Sequence, residues 1–570
     1  MYIYIKGVFM KVCDIPYQRC DVENVKKAYE KCIESIKNAK SADDVLAARK
    51  QLLSVNEELN TESALSYMRW SCNTKDEFYK AEKEYYEQNA PLLSGVQIAY
   101  MQAMLSTPFR ADVEKRLPIT VYKNYEVSLK ALDESIVPDL QEESAIVNEY
   151  AQFMSEFTVD FRGEKMPLTI LRRYMEDADR NTRKEAYDAL GEVFEKNSDI
   201  LDGTFDRLVK VRDRMAKKMG YKDFVELGYY RMGRICYDRE KVEKFRQNVL
   251  KDIVPVVSRI RTARAKSMGI DDMKLYDYGV CFADGDPTPI LNAEQMFEKG
   301  REMYHEMSKQ TGEFIDMMIE NDAFDVMSRE GKWGGGYCTE FAKYKQPFIL
   351  ANFNGTSGDV DVLTHEAGHA FASYLSFKNN LDAEAALGME TAETHSMSME
   401  CFCWKFMDKF FGDRANDYKF KHLFDNLSFL TYGTIVDAFQ HVVYEHPELT
   451  PDERNAEWNK LEAKFRPYLN TKGMRYFDKG TRWQYQMHIY ESPFYYIDYC
   501  LAQSDALQFL FKSLDDYQDA FNRYLTFTSK GGTELFTDML KEAGINSPFE
   551  DGALKEVAAK SEKILESLAK

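Results

Sequence analysis

The feature that most constrains this chain is a pair of histidines four positions apart, in the stretch His365-Glu-Ala-Gly-His369. Residues i and i+4 of an α-helix lie on the same face, so the two imidazoles can bind one metal ion. The flanking residues are mostly apolar, which predicts that this helix lies inside the protein. The chain has 8 His in 570 residues, so about 0.01 such patterns are expected by chance. The alternative is an amphipathic helix whose histidines make ordinary hydrogen bonds in the core.

The same stretch supplies a carboxylate, Glu366, beside the two imidazoles. A zinc ion held by three protein ligands keeps one position open and lowers the pKa of its water to about 7. Hydroxide then becomes available at neutral pH. The sequence therefore predicts one Zn²⁺ per chain, with Glu366 taking a proton from the water that attacks a peptide carbonyl.

The third metal ligand is predicted on the next helix, over 389–404, which contains neither Pro nor Gly. Its carboxylates, Glu390, Glu393 and Glu400, recur at intervals that place them on one helical face. Glu393 is the predicted ligand, and Glu390 and Glu400 are predicted to orient a ligating His. The alternative is a solvated acidic face. His395 points to a different side of this helix and is a weaker candidate.

Three stretches together resemble the oligoendopeptidase F family, relatives of thimet oligopeptidase: Phe353-Asn-Gly-Thr356, the histidine motif, and Ala392-Glu-Thr-His-Ser-Met-Ser-Met-Glu400. Further likeness at 180–187, 493–499 and 541–545 extends the resemblance over nearly the whole chain. It implies that His365, His369 and Glu393 hold the metal and that Glu366 is the general base. It also implies that only short unfolded peptides enter, because folded proteins are too large for the channel.

The resemblance implies as well a late cluster of His and Tyr that binds the oxyanion of the tetrahedral intermediate. His488, Tyr496 and Tyr499 are the predicted donors, and such donors contribute about 3–4 kcal/mol each. The spacing from His to the tyrosines is one residue shorter than in thimet oligopeptidase. Whether Tyr495 or Tyr496 reaches the oxyanion therefore stays open, and Tyr495 is otherwise predicted to bind substrate. The alternative is packing, since the chain contains 36 Tyr.

Two β-like runs, 334–341 and 347–353, flank a short turn just before the zinc helix, and the first opens with the glycine run Gly334-Gly-Gly336. A strand edge beside a metal site can pair with an extended peptide backbone. Gly335, Gly336 and Asn352 are the predicted substrate-binding residues here, with the glycines allowing the loop to close over substrate. The alternative is a plain structural hairpin.

Apolar spacing predicts a mainly α fold with a small β-sheet next to the zinc helix. The length of the chain favours two helical lobes, and the resemblance implies a deep substrate channel. Helical spacing extends over 21–60, 122–156, 170–218, 238–268 and 293–325. Residues 158–170 alternate around Gly163 and predict a hairpin. Residues 10–210 are predicted to form mainly the N-terminal lobe and 211–570 the catalytic lobe, with the two interleaved. Residues 1–9 are predicted to be a non-native start or a disordered extension, with Met10 as a candidate native start.

Composition limits the partners of the chain. The net charge of −19 and the pI near 5.1 argue against nucleic acid or an anionic membrane as a partner. Ten scattered Cys without a C-x-x-C pair indicate neither a disulfide framework nor a cysteine zinc site, and a reducing cytoplasm is the predicted location. The predicted partners are short peptides, with the protein a monomer or a weak homo-oligomer.

Three other functions fit the same residues. A dipeptidyl carboxypeptidase would use this metal site to remove two residues from a free C-terminus. A helical peptide-binding protein could retain the ligands without activity, although the intact Glu366 argues against that function. A zinc hydrolase could also act on another kind of amide.

Overall fold

Helices make up 71% of the protein in the computed structural model, which describes residues 11–569. The chain divides into two units, each assembled from three stretches. Within the described residues, the first contains 11–129, Thr288–Gly412 and Lys512–Gly544, and the second contains Lys130–Pro287, Asp413–Phe511 and 545–569. The sequence-based division at residues 210 and 211 falls inside the second unit, within the helix Ser198–Lys218, so the two divisions of the chain differ. The predicted extension at 1–9 and the candidate start Met10 lie outside the described residues.

Three of the N-terminal helices of the first unit begin where short polar side chains, Asp21, Ser41 and Asp76, accept backbone N–H groups. Its α-helices, with one that extends past the unit boundary, are Val22–Lys37, Ala42–Cys72, Glu77–Asn89, Ser94–Ser106, Arg110–Glu114, Ile119–Ala131, Ala293–Met307, Lys309–Glu320, Gly358–Asn379, Met389–Cys403, Asp408–Phe411, Tyr517–Thr528 and Phe536–Ala543.

The second unit is also helical, and its core is rich in aromatic side chains, among them the buried Trp458 and Trp483. Its α-helices, with one that extends past the unit boundary, are Val137–Ser155, Leu168–Met175, Arg180–Lys196, Ser198–Lys218, Phe224–Arg231, Arg239–Asn248, Val254–Ser267, Ala415–Glu445, Pro451–Phe465, Met487–Glu491, Tyr496–Asp515 and Ala553–Leu568. Within residues 11–569, we find no helix with the length and apolar character to cross a bilayer.

The predicted hairpin is present in the second unit. Strands β1 (Thr158–Phe161) and β2 (Glu164–Pro167) pair antiparallel. Arg162 and Gly163 between them both have positive φ, 53° and 87°, as the tight turn of a two-residue hairpin requires. A helix starts immediately afterwards at Leu168, so the strand-like pattern predicted to residue 170 ends three residues early.

A three-stranded sheet in the first unit contains β3 (Phe324–Met327), β4 (Tyr337–Phe341) and β5 (Gln346–Phe353), in the order β3-β5-β4. The central β5 is parallel to β3 and antiparallel to β4, with Thr339 opposite Phe348. Both β-like runs predicted from the sequence are therefore strands, although 334–336 is a loop. Strand β3 was missed because residues 324 and 325 belong to a stretch predicted as helix.

The other predicted helical segments are helical, but most are interrupted. Residues 21–60 contain parts of two helices that are separated at 38–41, and 238–268 contains a π-helical segment at Val249–Ile253. The break at 38–41 ends at the capping residue Ser41, which a pattern of apolar spacing does not detect.

Candidate metal centre

The histidine motif lies inside the helix Gly358–Asn379, which we call the motif helix. The buried Asp359 organises its start, because its carboxylate accepts the backbone N–H groups of Asn354 (2.9 Å) and Gly355 (2.7 Å). Burial raises the pKa of Asp359, and these N–H groups oppose that shift. The helix ends at Asn380, which has a left-handed conformation with φ 51°. Both histidines are thus about two turns or more from either end of the helix. They lie in its interior, where the backbone is most regular.

The predicted third ligand lies on the helix Met389–Cys403, which we call the glutamate helix. Most of its residues are buried, including Glu390 (6% exposed) and Glu393 (4% exposed). The alternative of a solvated acidic face is therefore wrong. The carboxylate of Glu390 folds back over Gly388 at the start of the helix, where a Cβ atom would lie 2.1 Å from Oε1.

Gly368 allows the motif helix and the glutamate helix to approach closely. A Cβ atom at this position would lie 2.6 Å from the Cα of Ser396 and 2.9 Å from the carbonyl oxygen of His395. Real Cβ atoms do not tolerate such distances, so no larger residue fits without moving one helix. The glycine inside the motif thus brings the backbone of the glutamate helix within reach of the two histidines.

Three side chains converge between these helices. The Nε2 atoms of His365 and His369 each lie 3.5 Å from Oε2 of Glu393, and one ligand atom from each of the three lies within 4.8 Å of the others. Two zinc bonds of about 2.0–2.1 Å at a tetrahedral angle separate their ligand atoms by about 3.3 Å. A charge-assisted hydrogen bond is shorter, about 2.7–2.9 Å. The spacing therefore fits a shared metal ion better than direct hydrogen bonds.

Two further contacts hold the ligand atoms in place. The Oε1 atom of Glu400 lies 2.6 Å from Nδ1 of His365, so we assign the ring proton to Nδ1 and leave Nε2 free for a metal. Glu393 is held by Ser396, whose hydroxyl donates to Oε2 at 3.1 Å. Glu400 is thus placed where the sequence predicted a residue that orients a histidine.

The titratable groups of this cluster shift one another's pKa values. Burial alone would raise the pKa of Glu393, but the adjacent imidazoles hold it far below its usual value. Burial alone would lower the pKa of His365, but Glu393 and Glu400 raise it well above the usual value. In contrast, burial and the charge of His369 lower the pKa of His395 to about 3. His395 is therefore neutral, and its ring packs edge-on against Phe527.

Glu366, the predicted general base, lies on the motif helix between the two histidines and is half-buried. Burial, followed by the charge of Glu366, raises the pKa of the Cys338 thiol well above its usual value. Strand β4 packs against the motif helix, which carries Glu366. Cys338 was not singled out from the sequence. The alternation of strand residues in 337–341 could have predicted that its side chain lies on the face of β4 that packs against the motif helix.

The predicted substrate-binding residues before the motif form one supported loop. The amide nitrogen of Asn352 donates to the carbonyl oxygens of Trp333 (2.9 Å) and Gly335 (2.8 Å). The indole of Trp333 lies over Gly335, where a Cβ atom would be 2.0 Å from the ring, and at Gly336 it would be 3.4 Å from a carbonyl oxygen of β5. The side chain of Asn352 therefore holds this loop in place. Direct contact of these residues with substrate remains a prediction.

The residues predicted to bind the oxyanion form a cluster in the second unit. The ring of His488 lies 5.0 Å from that of Tyr496, 5.9 Å from Tyr495 and 6.1 Å from Tyr499, measured between centroids. Gln486 lies within hydrogen-bond distance of His488 Nδ1, at 2.7 Å. Burial raises the pKa of Tyr496 well above its usual value, so its phenol keeps the proton that a donor needs.

A strained turn places these tyrosines. Phe494, just before them, has φ 67°, which is rare for a bulky residue. Its N–H donates to Gln440 (2.8 Å) and its carbonyl accepts from the buried Arg234. Its ring packs over Gly228, where a Cβ atom would lie 2.6 Å from the ring. These supporting residues are far apart in sequence and left no signal in it.

Two solved structures have the same fold over nearly the whole chain. One, described as PZ peptidase A with inhibitor 2, is 40% identical with a TM-score of 0.93, over 98% of this chain and 99% of that one. Another, described as a putative oligoendopeptidase F from Bacillus anthracis str. Ames, is 38% identical with a TM-score of 0.88, over the same shares. The class of protein is therefore that of the helical oligopeptidases.

Family models identify the chain more narrowly. The model of peptidase family M3 matches residues 173–559, and the model of the M3 N-terminal domain matches residues 13–132. The chain belongs to peptidase family M3. This is a family of metallo-oligopeptidases, which is the enzyme class predicted from the motif, and the resemblance to oligoendopeptidase F is confirmed. The curated relative Oligopeptidase PepF from Bacillus subtilis is 22% identical over 65% of this chain, a stretch that spans 55% of the relative's own length.

Proposed function

We propose that this protein is a zinc-dependent endopeptidase that hydrolyses short, unfolded oligopeptides. One observation carries the proposal: His365, His369 and Glu393 converge, with Nε2 of each imidazole 3.5 Å from Oε2 of Glu393, and Glu366 follows His365 on the same helix. Two imidazoles and one carboxylate are a ligand set that zinc uses in hydrolytic sites. When bound there, zinc polarises the carbonyl of the peptide and lowers the pKa of water.

The residues of the chain have distinct roles in this reaction. Glu366 accepts a proton from the attacking water and returns it to the amine that leaves, which balances the proton between the two steps. Glu400 keeps the proton of His365 on Nδ1. His488, with Tyr496 and Tyr499, donates to the oxyanion that develops on the carbonyl oxygen. The family resemblance supports this last role, and the high pKa of Tyr496 suits it.

The substrate follows from the family and from the loop before the motif. Relatives carry the names oligopeptidase and oligoendopeptidase, and we propose the same substrate class here. We propose that an extended peptide binds near Gly335, Gly336, Asn352 and Tyr495. We further propose that folded proteins are excluded, that the protein is a monomer or a weak homo-oligomer, and that it is cytoplasmic. The ten scattered cysteines suit a reducing compartment.

The proposal is tested with Glu366→Gln. This change keeps the size of the side chain but removes its ability to accept a proton, so zinc content should stay at one equivalent while cleavage of a quenched fluorescent peptide is nearly abolished. Wild-type turnover by the zinc-loaded variant would contradict the role of Glu366. A purified wild-type protein without stoichiometric zinc would contradict the metal centre itself.

The position of the cut separates an endopeptidase from a dipeptidyl carboxypeptidase. A peptide amidated at its C-terminus lacks the free carboxylate that the second enzyme needs. We expect internal cleavage of that peptide, seen by mass spectrometry of the products. Cleavage only of the free acid, two residues from its end, would support the carboxypeptidase.

A further inference from the structure

The connection between the motif helix and the glutamate helix, residues 380–388, is short and partly buried. It leaves the motif helix at the left-handed Asn380, and it delivers the chain to Gly388, five residues before Glu393. Any shift of this connection therefore moves the start of the helix that carries Glu393. Its contacts determine how precisely that helix is placed.

A buried arginine holds the connection from one side. Arg49, on the helix Ala42–Cys72, is 4% exposed. Its guanidinium donates to both carboxylate oxygens of Asp382, at 2.8 and 2.6 Å, and to Oε2 of Glu384 at 2.7 Å. A guanidinium in this two-pronged arrangement fixes orientation as well as distance.

Two phenols complete the contact. The same Oε2 of Glu384 accepts from Tyr100 at 3.1 Å and from Tyr125, and the two phenol oxygens are 3.1 Å apart. The backbone N–H of Glu384 donates to Asp382 at 3.0 Å. The two carboxylates, the guanidinium and the two phenols thus form one network.

A pair of glycines closes the other side. At Gly532, a Cβ atom would lie 2.0 Å from the carbonyl oxygen of Ala385, and at Gly531 it would lie 2.7 Å from Leu381. The hydroxyl of Thr120 donates to the carbonyl of Gly532. The connection is therefore held between the network and this glycine pair.

We propose that Arg49 is a positioning residue for the metal centre: by fixing residues 382–384, it fixes the start of the glutamate helix and the distance from Glu393 to the two histidines. The inference rests on the proposed function, because it requires a metal at that cluster. Buried ion pairs add little net stability compared with apolar packing, because desolvation offsets their attraction. Two acids and an arginine in this place are therefore better explained by the geometry that they impose.

The test is the zinc affinity of Arg49→Met, measured by competition with a chromophoric chelator well below the melting temperature of each variant. We expect a dissociation constant about tenfold higher, as for the loss of groups that orient metal ligands. The absorption spectrum of the Co²⁺-loaded variant should also change, because the ligand geometry is altered. A milder variant, Asp382→Asn, should weaken zinc by about threefold, the value of one hydrogen bond.

Arg454→Met is the matched control. Arg454 is buried, pairs with Asp206 at 2.9 Å, and belongs to the second unit. The Arg454→Met variant should be less stable than the wild type but should bind zinc with the same affinity. Equal weakening in this control, or wild-type affinity in Arg49→Met, would overturn the inference while leaving the zinc centre intact. If Arg49→Met does not fold, unchanged affinity in Asp382→Asn overturns it. A wild-type protein that binds no zinc would instead overturn the proposed function.

Discussion

The metal-ligand cluster and the tyrosine cluster are built in different ways. The first lies in the interior of two consecutive helices of the first unit, where His365, His369 and Glu393 keep regular helical spacing. The second lies in the second unit, around the strained Phe494 at the start of the helix Tyr496–Asp515. Helical spacing therefore determines which side chains share a face in the first cluster, and Gly368 lets the two helices approach closely. In the second cluster, a turn held by residues distant in sequence determines which side chains meet.

The two clusters also differ in charge. The first contains two imidazoles and a carboxylate, and the adjacent imidazoles lower the pKa of Glu393 so that it stays negative. The second is dominated by phenols, and burial keeps the phenol of Tyr496 neutral. A cation can thus be held by the first, whereas the second can donate hydrogen bonds without competing for that cation.

The largest effect is expected for Glu393→Gln, which removes the only carboxylate among the three predicted ligands. Zinc affinity should fall by more than about a hundredfold, beyond the effect of changing a supporting residue, and turnover should be lost at limiting zinc. Zinc content by elemental analysis and cleavage of a fluorescent peptide measure the two effects.

Glu390→Gln is the matched control for that change. It also removes a buried carboxylate from the glutamate helix, one turn earlier, where the side chain folds over Gly388. Zinc binding should be largely retained. Equal loss in both variants would mean that burial of charge, rather than ligation by Glu393, explains the result.

The next effect is expected in the tyrosine cluster. Tyr496→Phe removes one hydroxyl and keeps the ring, so kcat should fall by about a hundredfold or more while KM changes little. Tyr495→Phe should affect KM more than kcat, because Tyr495 is proposed to contact substrate. Steady-state kinetics of both variants show which tyrosine donates to the oxyanion and which contacts substrate. A loss of kcat in Tyr495→Phe alone would transfer the donor role to Tyr495.

The metal-ligand cluster could be predicted from the sequence because its geometry is local. An i, i+4 pair and carboxylates at intervals of three and seven residues fix the faces of two helices before any tertiary contact is known. The hairpin around Gly163 and both strands before the motif could be predicted in the same way. In each of these cases, the pattern and the contact lie within one element or between neighbours.

What the sequence did not reveal depends on residues distant along the chain. Strand β3 is four residues long and pairs with β5 across more than twenty residues, which leaves no periodic signal. The contacts of Arg49 with Asp382 and of Arg234 with Phe494 join residues 333 and 260 positions apart. No spacing rule connects such positions, and only the folded chain brings them together.

A smaller effect on the metal-ligand cluster is expected for Glu400→Gln. The amide can still contact Nδ1 of His365, but it no longer holds the ring proton there by charge. Zinc affinity should fall by about tenfold, with kcat of the fully loaded protein reduced less than in Tyr496→Phe. Unchanged affinity would show that the 2.6 Å contact with Glu400 does not orient the ligand.

The smallest change in turnover is expected for Gly368→Ala. This variant tests whether the close approach of the two helices, rather than the chemistry of the side chains, determines the geometry of the metal-ligand cluster. The added Cβ would lie 2.6 Å from the Cα of Ser396, so the two helices must separate slightly. Overpacking of this kind costs about 1–3 kcal/mol, and the shift should also weaken zinc binding.

Gly203→Ala is the control, since a Cβ added at that helical glycine would have nothing within 4 Å and the variant should gain about 0.5–1 kcal/mol. Calorimetric melting with and without zinc measures both. A zinc-dependent stabilisation as large in Gly368→Ala as in the wild type would show that the cluster tolerates separation of its helices, and that its precision comes from the side chains alone.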